Sequence, residues 1–70
     1  MLKREVLNKY KLSGKKFSFA ISIYKILSYD IQKFYYRIIK ELLKCEDLTN
    51  EEKEFLQCIK MEIKHELGLK

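Results

Sequence analysis

The sequence predicts an all-α protein. The chain of 70 residues contains no proline and only two glycines, whereas an all-β fold requires many turns. Apolar residues recur at helical spacing over most of its length. The apolar share of 47% and the charged share of 36% are typical of a chain that folds. We therefore expect a single small helical domain over residues 1–70, with a short N-terminal helix, a long central helix and a C-terminal helix.

The N-terminal segment, residues 2–12, predicts the short helix. Its apolar residues, Leu2, Val6, Leu7 and Tyr10, can line one side of such a helix. The letters "SGKK" that follow contain Gly14 and suggest a turn. We expect the short helix to fold back through this turn onto the central helix.

A continuous apolar stripe predicts the central helix over about residues 17–46. Its members are spaced three or four residues apart: Ala20, Tyr24, Leu27, Ile31, Phe34/Tyr35, Ile38, Leu42 and Cys45. If unbroken, this helix is ~45 Å long at a rise of ~1.5 Å per residue. A break within Ser28–Asp30 stays open, because Ser28 or Asp30 could cap a new helix.

The C-terminal helix is predicted over about residues 50–67. Thr49 and Glu52 have the spacing of a capping box, and Gly68 is placed as a left-handed terminator. The letters "CEDLTN" provide a short connection from the central helix, which predicts an antiparallel helical hairpin. We expect the central helix to pack on this helix through Ile31, Phe34, Ile38 and Leu42.

A β-hairpin is the alternative for the N-terminal part. The segment "KFSFAISIYK" alternates large apolar residues with the small residues Ser18, Ala20 and Ser22, and "REVLNKYKL" could pair with it across "SGKK". Residues 16–25 would then be a strand followed by two helices. Over about residues 16–67, that order resembles the ribbon-helix-helix DNA-binding dimers, although the first helix would be about twice that family's length.

The apolar residues of 17–29 point nearly all round a helix, so covering one side leaves the other exposed. Exposed apolar surface of this kind usually marks an interface. We therefore expect a homodimer or a subunit of a larger complex, with an interface formed by Phe17, Phe19, Ile23, Ile26 and Tyr29.

The charge is divided unevenly along the chain. Residues 1–44 hold eleven Lys and Arg against three acids, whereas residues 45–70 hold four Lys against seven acids. Within the first part, the basic stripe (Lys33, Arg37, Lys40 and Lys44) recurs once per helical turn, with Tyr36 on its flank. Lysine and arginine can contact phosphates, and an exposed tyrosine can stack on an unpaired base. We expect the nucleic-acid-binding residues to be Lys15, Lys16, Lys33, Tyr36, Arg37, Lys40 and Lys44.

The sequence lacks the signatures of catalysis. It has no Gly-rich phosphate loop and no plausible nucleophile–base pair. Cys58, Met61 and His65 share one side of the C-terminal helix, but His65 is the only histidine, and metal sites normally need more ligands. We expect no enzyme activity, no cofactor, no metal and no small-molecule substrate.

Two classes of function remain. The first is a small regulatory protein that contacts the phosphate backbone of DNA or RNA through basic helical faces. The second is a small inhibitor, adaptor or subunit that docks on a larger acidic protein. Two free cysteines and the lack of a targeting segment favour a cytoplasmic location, inside a host cell if the protein is viral, and membrane binding is not expected. Phe, Tyr, Met, Ile, Asn and Lys, which have AT-rich codons, far outnumber Gly, Ala, Arg and Pro, which have GC-rich codons. This suggests an AT-rich genome or a mobile element.

Overall fold

The computed structural model describes residues 1–68, and the helical spacing of the apolar residues corresponds to helices in it. The elements are α1 (Lys3–Lys9), α2 (Gly14–Ser22), a 3-10 turn (Tyr24–Ile26), α3 (Tyr29–Leu42) and α4 (Asn50–Leu67). Within residues 1–68 there is no strand, so the all-α prediction is confirmed. The β-hairpin alternative, and with it the resemblance to ribbon-helix-helix proteins, is not supported because residues 16–22 are helical.

The boundaries of α4 follow the local sequence signals. Thr49 Oγ1 accepts from the Glu52 N–H at 3.1 Å, and Glu52 Oε1 accepts from the Thr49 N–H at 3.2 Å. Gly68 adopts a left-handed conformation with φ 63° and donates its N–H to the His65 carbonyl. The predicted C-terminal helix is therefore confirmed, because both of its ends are satisfied by neighbouring residues.

The short N-terminal helix is also present, but its end differs from the expected turn. Lys11 has φ 58°, and the Leu12 N–H donates to the Leu7 carbonyl at 2.9 Å, as in a Schellman motif. Lysine thus takes a position where glycine is usual. Gly14 instead begins α2, and Ser13 caps that helix by accepting from the Lys16 N–H at 3.1 Å.

The continuous central helix is a wrong prediction. The chain bends between Ser22 and Tyr29, whereas an unbroken helix of ~45 Å would exceed the longest dimension of the molecule, 29 Å. The bend buries apolar side chains of the first part that a straight helix would leave in water: Phe17, Ala20, Ile21 and Tyr24. Burial of apolar surface at about 25 cal/mol per Å² favours the bent arrangement in so small a chain.

Polar groups stabilise the bend. Ser28 Oγ accepts from the Ile31 N–H at 3.4 Å, so Ser28 is the residue that starts α3. The side chain of Gln32, which is only 2% exposed, donates its Nε2 to the Leu27 carbonyl at 3.0 Å. This carbonyl follows the 3-10 turn, so Gln32 replaces a bond that an unbroken helix would have made.

One hydrophobic core joins the helices, and α3 and α4 form its most extensive pairing. Ile38 and Leu42 of α3 are fully buried, as expected, together with Ile39 and with Ile63 of α4. The predicted contacts of Ile31 and Phe34 with the last helix need correction, because these side chains are 44% and 37% exposed. The reason is the bend, which covers a different side of α3 by bringing Phe17 to within 6.1 Å of Tyr35, between ring centroids.

The helix α1 lies along α3 and the α3–α4 connection. Its first turn is held by Lys3, whose N–H donates to Asp47 Oδ1 at 2.8 Å and whose Nζ lies 2.6 Å from Glu52 Oε2. At its other end the Tyr10 ring meets the Phe34 ring edge-on, with the centroids 5.6 Å apart. Across residues 1–68, no helix combines the length and apolar character needed to cross a membrane.

Candidate nucleic-acid interface

The basic stripe lies on the solvent side of α3. Lys33, Arg37, Lys40 and Lys44 are all exposed, while Ile39 and Leu42 of the same segment are buried. Lys33, Arg37 and Lys40 lie on successive turns of one face of α3, and Lys44 follows in the turn after the last residue of the helix, Leu42. From Lys33 to Lys40 the helical part of the stripe rises by about 10 Å, at about 1.5 Å per residue.

The end of α1 meets this stripe and forms a cleft with it. The basic cleft has a volume of about 310 Å³ and is lined by Lys9, Tyr10, Arg37, Lys40, Glu41 and Lys44. Four bases thus converge on one depression, three from the α3 side and one from α1. The packing of α1 against α3 therefore places Lys9 and Tyr10 beside the basic stripe, and this makes the surface concave.

Glu41 joins the two walls of the basic cleft. Lys9 Nζ lies 2.7 Å from Glu41 Oε1, and the Tyr10 hydroxyl donates to Glu41 Oε2. The hydrogen bonds from Lys9 and Tyr10 lower the pKa of Glu41, and the same bond from the phenol raises the pKa of Tyr10. At neutral pH Glu41 is therefore an anion that holds α1 in place, and Tyr10 is a neutral donor.

The remaining bases of the cleft have no such partner. The ion pairs among residues 1–68 are Lys3–Glu52 and Lys9–Glu41. Arg37, Lys40 and Lys44 are not in ion pairs in this part of the chain, so their charges are available to an anionic ligand.

Tyr36 does not present a stacking surface. It is 8% exposed, and Lys40 Nζ lies 5.5 Å from the centroid of its ring. An unpaired base needs an accessible aromatic face. The sequence-based assignment of Tyr36 to nucleic-acid stacking is therefore not supported. Tyr36 instead packs in the hydrophobic core beneath the stripe.

The other predicted binding residues, Lys15 and Lys16, are exposed in the first turn of α2, but neither lines the basic cleft. The structure brings Lys9 and Tyr10 to the stripe instead. The predicted list of binding residues contains neither of them, because their position depends on how α1 packs. The signal in the sequence was Glu41, the one acid between Asp30 and Glu46, because a single carboxylate in a basic segment attracts basic side chains.

The predicted oligomer interface is divided by the bend. Phe17 is 9% exposed and belongs to the hydrophobic core, so its assignment to an interface is corrected. Ile23 is half-buried, whereas Phe19, Ile26 and Tyr29 are exposed. The apolar surface expected from residues 17–29 is thus present in part.

The cysteines and the single histidine form no further cluster. Cys45 is buried, which raises the pKa of its thiol, and Cys58 is exposed, and both are free. Within the described residues, no three His, Cys, Asp or Glu side chains are placed to hold a metal ion. Comparisons of the chain with models of known protein families, with curated proteins and with solved structures found no match.

Proposed function

We propose that this protein is a small non-enzymatic regulator that binds the phosphate backbone of nucleic acids in the basic cleft. The observation that supports this is that Arg37, Lys40 and Lys44, which are in no ion pair among residues 1–68, line a single depression beside the Lys9–Glu41 pair. Clustered bases of this kind attract polyanions by neutralising phosphates and releasing their counterions. The overall charge of +5 acts in the same direction.

The shape of the site favours a strand over a single small anion. Lys33 continues the row of bases beyond the cleft, so the positive surface is elongated along α3. Arg37 can hold a phosphate with two parallel hydrogen bonds, whereas the lysines act as point charges. An extended polyanion can engage all of these bases at once, while one phosphate cannot.

The same geometry predicts little sequence preference. Tyr36 is buried, and the Tyr10 hydroxyl is engaged with Glu41, so neither aromatic side chain is free to read or stack on a base. Contacts to phosphate alone position a nucleic acid without identifying its sequence. We expect similar affinities for unrelated sequences of equal length.

The proposal is tested by reversing charges in the cleft. Fluorescence anisotropy would measure the binding of labelled single-stranded DNA, duplex DNA and RNA to the wild type and to Arg37→Glu/Lys40→Glu. We expect at least ten-fold weaker binding by this variant at low salt, because two phosphate contacts become repulsions. Lys53→Glu/Lys60→Glu on α4 makes the same change in net charge outside the cleft and should reduce binding far less.

Equal losses in the two double variants would contradict a defined site and indicate attraction by net charge alone. Absence of binding to all three nucleic acids by the wild type would reject the proposal. That result would instead support the second class of function, docking on an acidic protein. Circular dichroism of both variants controls for folding.

A further inference from the structure

Phe34 lies beside the basic cleft. Its ring centroid is 5.6 Å from that of Tyr10, and Tyr10 lines the cleft. Along α3, Phe34 precedes Arg37, another residue of the cleft, by three positions, and side chains at this spacing are neighbours on a helix. Two independent relations therefore place Phe34 at the edge of the cleft, one across the contact between α1 and α3 and one along α3.

The side chain of Phe34 is accessible, in contrast to that of Tyr36. Phe34 is 37% exposed, whereas Tyr36 is 8% exposed. The rings of Tyr10 and Tyr35 meet the Phe34 ring at interplanar angles of 85° and 77°. Neither of them is stacked parallel to Phe34, and these two edge contacts hold its ring in place before a ligand binds.

The charges around Phe34 indicate which ligand fits. Lys33 and Arg37 flank it in α3, both are exposed, and neither is in an ion pair within residues 1–68. A ligand that uses all three side chains combines a flat apolar surface with negative charge. An unpaired nucleotide has both, because its base can stack on an aromatic ring while its phosphate contacts the neighbouring cations.

We propose that Phe34 stacks on an unpaired base of a DNA or RNA strand whose phosphates occupy the basic cleft. This inference rests on the proposed function and adds a substrate class to it, single-stranded nucleic acid. In a duplex the bases are stacked on one another, so a side chain cannot reach their faces. Stacking on an aromatic ring tolerates every base, since each has a π face, and it therefore agrees with the low sequence preference expected of the cleft.

The proposal is tested with two labelled single strands that carry the same number of phosphates. One is DNA of mixed sequence, and the other has the same length with an abasic tetrahydrofuran sugar at every position. Fluorescence anisotropy at low salt should show that the wild type binds the strand with bases at least about five-fold more tightly. Equal affinity for both strands would overturn the stacking and leave the phosphate site in place. Absence of binding to both strands would overturn the proposed function as well.

Phe34→Leu tests the residue itself, because it removes the ring and retains an apolar side chain. This variant should bind both strands as the wild type binds the abasic one, and its unchanged affinity for the abasic strand would show that the cleft is intact. Phe19→Leu makes the same change at a side chain that is 67% exposed and does not line the cleft, so it should keep the wild-type preference. A Phe34→Leu variant that also kept this preference would overturn the proposal.

A tryptophan substitution reports the stacking directly, because the chain contains no other tryptophan. The fluorescence of the Phe34→Trp variant should be quenched by the strand with bases and unchanged by the abasic strand. The fluorescence of the Phe19→Trp variant, the matched control, should be unchanged by either strand. Binding of the strand with bases by Phe34→Trp without quenching would overturn the proposal.

Discussion

The α3–α4 pair and the corner between α2 and α3 achieve stability in different ways. In the pair, Ile38, Leu42 and Ile63 are fully buried, and α4 begins and ends with satisfied caps. At the corner, Ile26 remains 80% exposed. The Tyr24 hydroxyl and Gln32 Oε1 are also buried there without a partner among the described residues.

The difference shows that the bend is a compromise. It moves Phe17 and Ile21 into the core, which a straight helix could not do. The bend also buries two polar atoms without hydrogen bonds and leaves apolar side chains in water, and both are unfavourable. A surface with those properties is suited to an interface, whereas the α3–α4 pair is suited to support the basic cleft.

Truncation of a core side chain should give the largest change in the free energy of unfolding, and it distinguishes the two regions. Ile38→Ala should lower the free energy of unfolding by about 2–5 kcal/mol, because it removes a fully buried side chain and leaves a cavity. Ile26→Ala should change it by less than about 0.5 kcal/mol, since that side chain is exposed. Urea denaturation measures the free energy of unfolding of both variants. Similar losses in the two variants would contradict the placement of the core.

A smaller effect of opposite sign is expected within the corner. Tyr24→Phe should raise the free energy of unfolding by about 1 kcal/mol, because it removes a buried hydroxyl that has no partner. Tyr29→Phe makes the same chemical change at a side chain that is 69% exposed and should be close to neutral. A loss of stability in Tyr24→Phe would show that its hydroxyl is bonded, for example to a water molecule.

The helix ends allow a comparison of the left-handed residues Lys11 and Gly68. Lys11→Gly should stabilise the protein by about 0.5–1 kcal/mol, because glycine adopts this conformation without a steric penalty. Gly68→Ala should destabilise it by about 1 kcal/mol for the same reason. Thermal denaturation measures both, and changes of equal sign would contradict the assigned conformations.

The smallest expected effect is the pH dependence of the stability that the ion pairs of α1 contribute. Lys3 lowers the pKa of Glu52, and Lys9 and Tyr10 lower that of Glu41. A carboxyl group whose pKa is lower in the folded state contributes stability at pH values above its unfolded pKa of 4.5. This contribution is lost as the pH falls through the folded-state pKa. Stability should therefore decrease from pH 6 to pH 3.

Glu41→Gln tests this link, because it should reduce the acid-induced loss of stability. Glu62→Gln, at an exposed side chain of α4, serves as its control and should behave like the wild type. Urea denaturation at several pH values would record the difference. An unchanged pH profile in Glu41→Gln would contradict the role of Glu41 in holding α1.

What the sequence could predict depended on how local the signal was. The α4 boundaries were predictable because Thr49, Glu52 and Gly68 act within a few residues of each helix end. The bend was not, because the apolar spacing through Tyr24, Leu27 and Ile31 is the same for a straight helix and a bent one. Ser28 marked a possible cap, but only the packing of Phe17 and Ile21 into the core decides that it is used.

The candidate site was predictable to a similar extent. The basic stripe follows from the spacing of its four bases on one helix. Its completion by Lys9 and Tyr10 depends on the register of α1 against α3, which no local pattern determines. The burial of Tyr36 likewise depends on which side of α3 the bend covers.

The salt dependence of binding tests the central claim, that the basic cleft binds phosphates, most directly. For the wild type and a labelled single strand, the logarithm of the association constant should fall linearly with the logarithm of salt concentration. The four bases of the stripe predict a slope of about −3, and reversing Arg37 and Lys40 should bring it to about −1. A wild-type slope near zero, or the same slope in both proteins, would contradict the claim.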